Sequence, residues 1–132
     1  MKPEELYQNV LKARSEFFEA NDCTVKAIAI ATGEGYDMAH YALECAGRKA
    51  RKGTSLGRMK EALNLLGYTW HRMKREDFSA RTPISLEREA LPGNYIVSFN
   101  THVAAVIDGE ILDWCKGRRF RIEALYKVTR QN

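Results

Sequence analysis

The sequence predicts an α+β domain in which N-terminal helices pack on a C-terminal antiparallel β-sheet. In the first half of the chain, apolar residues recur at helical spacing between capping residues and glycines. In the second half, short runs of β-forming residues are separated by turn-forming residues, and Asp108-Gly109 stands between two such runs. A chain of 132 residues is long enough to bury one core, so we treat residues 1–132 as a single domain.

Four helices are expected before the sheet, at residues 3–20, 23–32, 36–46 and between a cap at Thr54 or Ser55 and a stop at Gly67. The second helix is apolar on nearly every side, which predicts a central and buried position. Asn21 or Asp22 is its expected N-cap, and Gly33 is its expected C-cap.

The second half is expected to form a two-layer structure with the helices, as an antiparallel meander interrupted by one short helix. The helix is expected at residues 84–90, with Ser85 as a cap, after a loop at residues 74–83. Strands are expected at residues 68–73 and 95–99, in a hairpin at residues 101–115, and as one or two strands within residues 119–128.

The hairpin is the most specific local prediction. Asp108-Gly109 supplies the two φ > 0 residues of a tight two-residue turn, so Ile107 should pair with Glu110. The same register pairs Ala104 with Asp113 and His102 with Cys115. Because side chains alternate between the faces of a strand, His102 and Asp113 then become diagonal neighbours on one face.

A histidine held by a carboxylate is two-thirds of a nucleophilic triad, and Cys23 is the best candidate nucleophile. It is the first residue of the predicted buried helix, where free N–H groups and the helix dipole stabilise a thiolate and an oxyanion. Each residue also has a simpler explanation. Cys23 can be a small buried residue, His102 a hydrogen-bonded strand histidine, and Asp113 an edge-strand aspartate facing water. Cys115 is the rival thiol.

The composition is 45% hydrophobic and 29% charged, which is typical of a folded globular protein. No apolar run approaches the ~18 residues of a membrane span, and a secretory signal is absent, so we expect no membrane association. The odd number of cysteines, three, and their lack of C-x-x-C spacing argue against a disulfide framework or a zinc site. We therefore expect a cytoplasmic protein without a metal or cofactor.

The net charge of +4 is concentrated in thirteen residues without an acid, from Arg48 to Lys60. Such a segment is often a solvated loop and helix face. It is also a candidate surface for an acidic substrate or partner, or, together with Tyr68 and Trp70, for nucleic acid.

The order of these features resembles the papain-like cysteine peptidases, in particular small bacterial and phage proteins of that superfamily. The likeness covers about residues 20 to 128. The segment Asn21–Gly33 is similar to their nucleophile helix, and Tyr36–His40 continues that likeness. Gly93–Phe99, His102–Val106 and Asp113-Trp114 are similar to their histidine and acid strands.

The resemblance implies a papain-like fold with Cys23 as nucleophile, His102 as general base and Asp113 as the orienting acid. The family often places an oxyanion-binding Gln several positions before the cysteine. Here Phe17 stands six positions before it, so that role is open. Asn21 is the nearest amide and our candidate, with an N-cap as its alternative role.

The implied reaction is thiol-dependent acyl transfer on a peptide, amide, thioester or isopeptide bond, in the cytoplasm of a bacterium or a phage-infected cell. Hydrolysis of a peptide or protein substrate is the form we expect first. The alternatives are a catalytically silent binding or inhibitory module on the same fold, and a basic nucleic-acid-binding protein.

Overall fold

The computed structural model describes residues 2–17 and 19–131 and has a mixed α+β architecture, as predicted. Helices dominate the first half and strands the second. The helices are α1 (Pro3–Ser15), α2 (Cys23–Thr32), α3 (Tyr36–Cys45), α4 (Leu56–Leu65) and α5 (Pro83–Glu89), with a 3₁₀ turn at Arg75–Asp77. The strands are β1 (Tyr68–Arg72), β2 (Asn94–Ser98), β3 (Val103–Ile107), β4 (Glu110–Leu112) and β5 (Ala124–Arg130).

The sheet is antiparallel, with the strand order β1-β5-β2-β3-β4. The predicted meander is correct for β2, β3 and β4 but wrong for β5, which returns to lie between β1 and β2. The prediction of strand from Arg119 is also wrong, because β5 begins only at Ala124. Before it, Ile122 and Glu123 donate their N–H groups to the carbonyls of Arg81 and Ser98 rather than to a continuous ladder.

Helix α2 lies against the sheet as the central helix, and Val25, Ile28 and Ala29 are fully buried. This confirms the prediction from its apolar composition. The two-layer prediction is incomplete, because a second hydrophobic cluster covers the opposite face of the sheet. That cluster includes Leu86 of α5 and Phe78. Around β2, β3 and β4, both faces of the sheet are therefore buried against other parts of the chain.

Several predicted boundaries are corrected by local hydrogen bonds. Helix α1 ends at Ser15 rather than at residue 20, and residue 18 lies outside the described residues. Helix α4 is capped by Ser55, as predicted, through the N–H of Arg58. Ser85 is not the N-cap of α5. Thr82 holds that position, and Ser85 is its capping-box partner three residues later.

Across residues 2–17 and 19–131, no helix combines the length and the apolar character needed to cross a membrane.

Candidate active site

The hairpin forms in the predicted register. Asp108 and Gly109 have φ values of 48° and 85°, and Ile107 pairs with Glu110. A residue outside the hairpin also holds the turn, because the Asp108 side chain accepts a 2.8 Å hydrogen bond from the Gly93 N–H. A Cβ atom at Gly109 would lie 2.7 Å from the Cα of Ala90, so only glycine fits there. The hairpin turn is therefore packed closely against Gly93 and Ala90.

The ladder of β3 and β4 ends at the pair Ala105–Leu112, three pairs before the predicted pair of His102 with Cys115. The strand prediction for Trp114-Cys115 is therefore wrong, since a turn begins at Asp113. His102 directly precedes β3 and Asp113 directly follows β4, yet the two side chains still meet. His102 Nε2 lies 2.6 Å from Asp113 Oδ2.

Asp113 is held in place as well as bonded to His102. Its side chain is only 4% exposed, and Oδ2 also accepts a 3.0 Å hydrogen bond from the backbone N–H of Cys115. A carboxylate at this distance fixes the proton on Nε2 and leaves Nδ1 of His102 for another partner.

Cys23 is the first residue of α2, and its thiol lies within hydrogen-bonding reach of the His102 imidazole and the Val103 N–H. The structure thus brings all three predicted catalytic residues together. Burial raises the pKa of the Cys23 thiol, but these two hydrogen bonds and the charge of His102 outweigh it, so the net shift is downward.

The pKa of His102 shifts in the opposite direction, upward. Burial lowers the pKa of its imidazole, but hydrogen bonds with Asp113, Cys115 and Cys23 outweigh it and raise that pKa to about 11. A thiol with a lowered pKa beside an imidazole with a raised pKa is the combination that favours a thiolate–imidazolium pair.

Cys115, the rival thiol, also lies within hydrogen-bonding reach of His102. It is fully buried. Burial raises the pKa of the Cys115 thiol and the negative charge of Asp113 adds to the rise, although the bond with His102 opposes it. Of the two thiols beside the imidazole, Cys23 is therefore the one that favours the charged form. Cys45 is exposed on α3.

The start of α2 is not capped in the way the sequence predicts. Asp22 holds the N-cap position but makes no capping hydrogen bond. Its carboxylate instead accepts bonds of 2.7 Å from Arg14 Nε and 2.8 Å from the Tyr36 hydroxyl. The first N–H groups of α2 are consequently left without a side-chain cap, next to the Cys23 thiol.

Asn21, the predicted oxyanion residue, lies beside Cys23 in a cleft but its side chain is engaged elsewhere. The amide donates a 3.2 Å hydrogen bond to the Arg51 carbonyl. Asn21 does not have its alternative role either, because Asp22 holds the N-cap position. The oxyanion role of Asn21 stays a prediction, and the backbone N–H groups at the start of α2 are the nearest other donors.

Sequence reasoning missed a buried charge centre at Glu19. Its side chain is 1% exposed and accepts bonds of 3.0 and 3.1 Å from Arg48, 2.6 Å from His40 and 2.8 Å from the Arg51 N–H. The Arg48 guanidinium beside it lowers the pKa of Glu19 to about 2. Arg48, at the start of the basic segment, is thus buried and neutralised rather than solvated. No sequence signal marks this pair, since 29 residues separate its members.

Three clefts open around Cys23 and His102. An aromatic cleft of about 480 Å³ is walled by Phe99, Trp114 and Phe120 on the His102 side. A polar cleft of about 450 Å³ holds Cys23 with Arg14 and Lys26 among its lining residues. A smaller recess of about 220 Å³ also holds Cys23. Cys23 and His102 therefore each line more than one cleft.

His102, Asp113 and Cys115 are the described residues with the spacing of a metal site. One possible ligand atom from each lies within 4.8 Å of the others. Within this cluster, His102 Nε2 and Asp113 Oδ2 are hydrogen-bonded to each other.

No protein-family model, curated protein or solved structure matches this chain. What the site can do follows from its own geometry and chemistry.

Proposed function

We propose that this protein is a cysteine peptidase-like hydrolase of papain-like fold, which cleaves a peptide, amide or isopeptide bond through an acyl-enzyme on Cys23. One observation carries the proposal: Cys23 begins a buried helix beside His102, whose imidazole is held by the buried Asp113 carboxylate. Nucleophile, base and orienting group are the three parts that covalent acyl transfer requires.

In the first half-reaction, the Cys23 thiolate attacks the substrate carbonyl carbon and a tetrahedral oxyanion forms. The N–H groups at the start of α2 stabilise this charge, because they lack a side-chain cap. Protonated His102 then donates its proton to the leaving amine as the C–N bond breaks. Cys23 is left as a thioester.

In the second half-reaction, neutral His102 takes a proton from water, and the hydroxide formed attacks the thioester carbonyl. Collapse of the second tetrahedral intermediate expels the Cys23 thiolate and releases a carboxylic acid. His102 is left protonated beside the thiolate, as at the start. Throughout the cycle, Asp113 fixes the ring orientation and stabilises the imidazolium.

The first test is the pH dependence of Cys23 alkylation by iodoacetamide, measured by mass spectrometry of the Cys23 peptide. In the wild-type protein the alkylation rate should rise at a pH well below the ~8.5 of a free thiol. His102→Ala should move that rise towards ~8.5 or above, because the Val103 N–H is then the one hydrogen bond left to oppose the effect of burial on the Cys23 pKa. His71→Ala is the matched control, since His71 is exposed on β1. His71→Ala should leave the pH dependence of Cys23 alkylation unchanged.

Turnover is tested with the same variants on a peptide library. Cys23→Ala should abolish cleavage, and Asp113→Asn should lower it by ~10²-fold or more. Cleavage should survive EDTA, which separates thiol chemistry from a metal reaction at His102, Asp113 and Cys115. An inert Cys23, or one that titrates like a free thiol whatever residue stands at 102, would refute the proposal. A reactive Cys23 without turnover would favour a binding or inhibitory module.

A further inference from the structure

Two large apolar side chains stand exposed in the aromatic cleft beside His102. Trp114 is 52% exposed and Phe120 is 38% exposed, although rings of this size are mostly buried in folded proteins. A third ring, Phe99, is buried and lines the same cleft. Exposed apolar surface that is gathered in a concave place, rather than scattered singly, is a common mark of a binding site.

The three rings are packed against one another. The Phe120 ring meets Phe99 and Trp114 edge-on, with centroid separations of 5.9 and 5.7 Å. The centroid of the Trp114 ring lies 4.6 Å from that of the His102 imidazole. The rings therefore form a continuous aromatic wall that ends at the proposed general base.

Phe120 reaches this wall because its segment is not part of the sheet. Residues 118–123 form no helix or strand, and β5 begins only at Ala124. The N–H groups of Ile122 and Glu123 are instead bonded to carbonyls of distant segments. These hydrogen bonds anchor the loop that brings Phe120 to the cleft.

The chemistry of the lining indicates an aromatic ligand. Besides His102, the charged residues of the cleft are Arg121 and Glu123, which are both exposed and have opposite signs. A charged side chain would lose hydration against the apolar rings. An aromatic side chain would bury apolar surface there and add further edge-to-face contacts to rings at this spacing. The volume of about 480 Å³ is in the usual range of small-ligand sites.

We infer that the aromatic cleft binds an aromatic side chain of the substrate, of the Phe, Tyr or Trp type, close to the bond that is cleaved. This inference rests on the proposed function and adds a substrate class that the triad alone does not define. Closeness to the bond follows from His102, which lines the cleft and lies within hydrogen-bonding reach of the Cys23 thiol. Phe120 is the specificity-determining residue to test, because its ring joins Phe99 to Trp114.

The first test uses internally quenched peptides in which a residue on either side of the cleaved bond is varied among Phe, Leu, Ala, Arg and Glu. At a position that flanks the bond, wild-type protein should prefer Phe over Ala by ~10-fold or more in kcat/KM. Phe120→Ala should reduce that preference several-fold, whereas Phe120→Tyr, which keeps a ring, should retain it. Tyr41→Ala is the control and should leave the preference unchanged, because Tyr41 is an exposed ring on α3 that does not line the cleft.

A second measurement needs neither turnover nor a reactive thiol. N-acetylphenylalanine amide and N-acetylalanine amide are titrated into the protein while NMR follows the indole N–H signals of its two tryptophans, assigned with Trp70→Phe. The phenylalanine probe should shift the Trp114 signal in a saturable way, and the alanine probe should not. Phe120→Ala should weaken the binding of the phenylalanine probe several-fold.

The two measurements separate this inference from the proposed function. Equal cleavage of the Phe and Ala peptides would overturn the inference. A preference for Leu, Arg or Glu over Phe, or a Trp114 signal that does not respond to the phenylalanine probe, would also overturn it. A Trp114 response that depends on Phe120, without hydrolysis of any peptide, would refute the proposed function and leave the cleft as a site for aromatic groups.

Discussion

Replacement of Glu19 by glutamine should destabilise the protein by about 3 kcal/mol at pH 7, because it removes the partner of a buried cation. The Arg48 side chain is 2% exposed and gives Glu19 a bidentate interaction. The hydrogen bond from Arg48 is the main cause that lowers the pKa of Glu19 from 4.5 to about 2. At about 1.4 kcal/mol per pH unit, this difference corresponds to roughly 3 kcal/mol of stability. Loss of one member of a buried ion pair commonly costs a similar amount.

The loss of stability in Glu19→Gln should depend on pH. A carboxylate with a lowered pKa contributes its stability fully above its unfolded value of 4.5 and loses it as the pH falls towards 2. Glutamine cannot titrate. The difference in unfolding free energy between wild type and Glu19→Gln should therefore be largest above pH ~5 and should shrink towards pH 2.

The assay is urea unfolding followed by tryptophan fluorescence at several pH values between 7 and 3. Glu16→Gln is the matched control, because Glu16 is exposed after the end of α1. It should change stability by less than ~0.5 kcal/mol. A loss below ~1 kcal/mol for Glu19→Gln at pH 7, or a loss that is the same at pH 3, would show that Glu19 does not act as a buried, ionised partner of Arg48.

Two further changes test the hairpin and the basic segment. Gly109→Ala should lower the free energy of unfolding by at least ~2 kcal/mol, because the added Cβ would lie 2.7 Å from the Cα of Ala90. Gly117→Ala is the control. Gly117 has a similar φ but no atom near the added Cβ, so this change should cost only ~1 kcal/mol. Equal losses measured by urea unfolding would argue against the packed turn. Charge reversal of the exposed Lys49 and Lys52 should slow cleavage of an acidic peptide and weaken the dependence of the cleavage rate on salt. Charge reversal of the exposed Lys74 is the control and should have a smaller effect. Unchanged kinetics in the Lys49 and Lys52 variant would exclude electrostatic steering by this loop.

The parts of the site that local sequence predicts are those set by turn and helix chemistry. Asp108-Gly109 fixes the hairpin register, and that register carries His102 towards Asp113 even though the ladder ends three pairs early. The apolar run after Cys23 predicts the buried helix that presents the thiol. These predictions succeed because each depends on residues close together in the chain.

The parts that sequence does not predict depend on contacts between distant segments. The return of β5 between β1 and β2 is set by sheet pairing over the whole chain, which no local pattern records. The Glu19–Arg48 pair looks like two ordinary surface charges in the sequence.

The Asp22 carboxylate binds Arg14 and Tyr36 instead of capping α2, and this choice of partners bears on the chemistry proposed for Cys23. An aspartate that capped α2 would use the first N–H groups of the helix and would place an unpaired negative charge beside the thiol. Both effects would oppose formation of a thiolate and an oxyanion there. Burial raises the pKa of Asp22, but hydrogen bonds from Arg14 and Tyr36 outweigh it, so the group is ionised with its charge compensated by Arg14. The helix start thus has no side-chain cap on its N–H groups, because α1 and α3 supply the partners that hold the Asp22 carboxylate. In the mechanism proposed above, these N–H groups are the ones that stabilise the oxyanion.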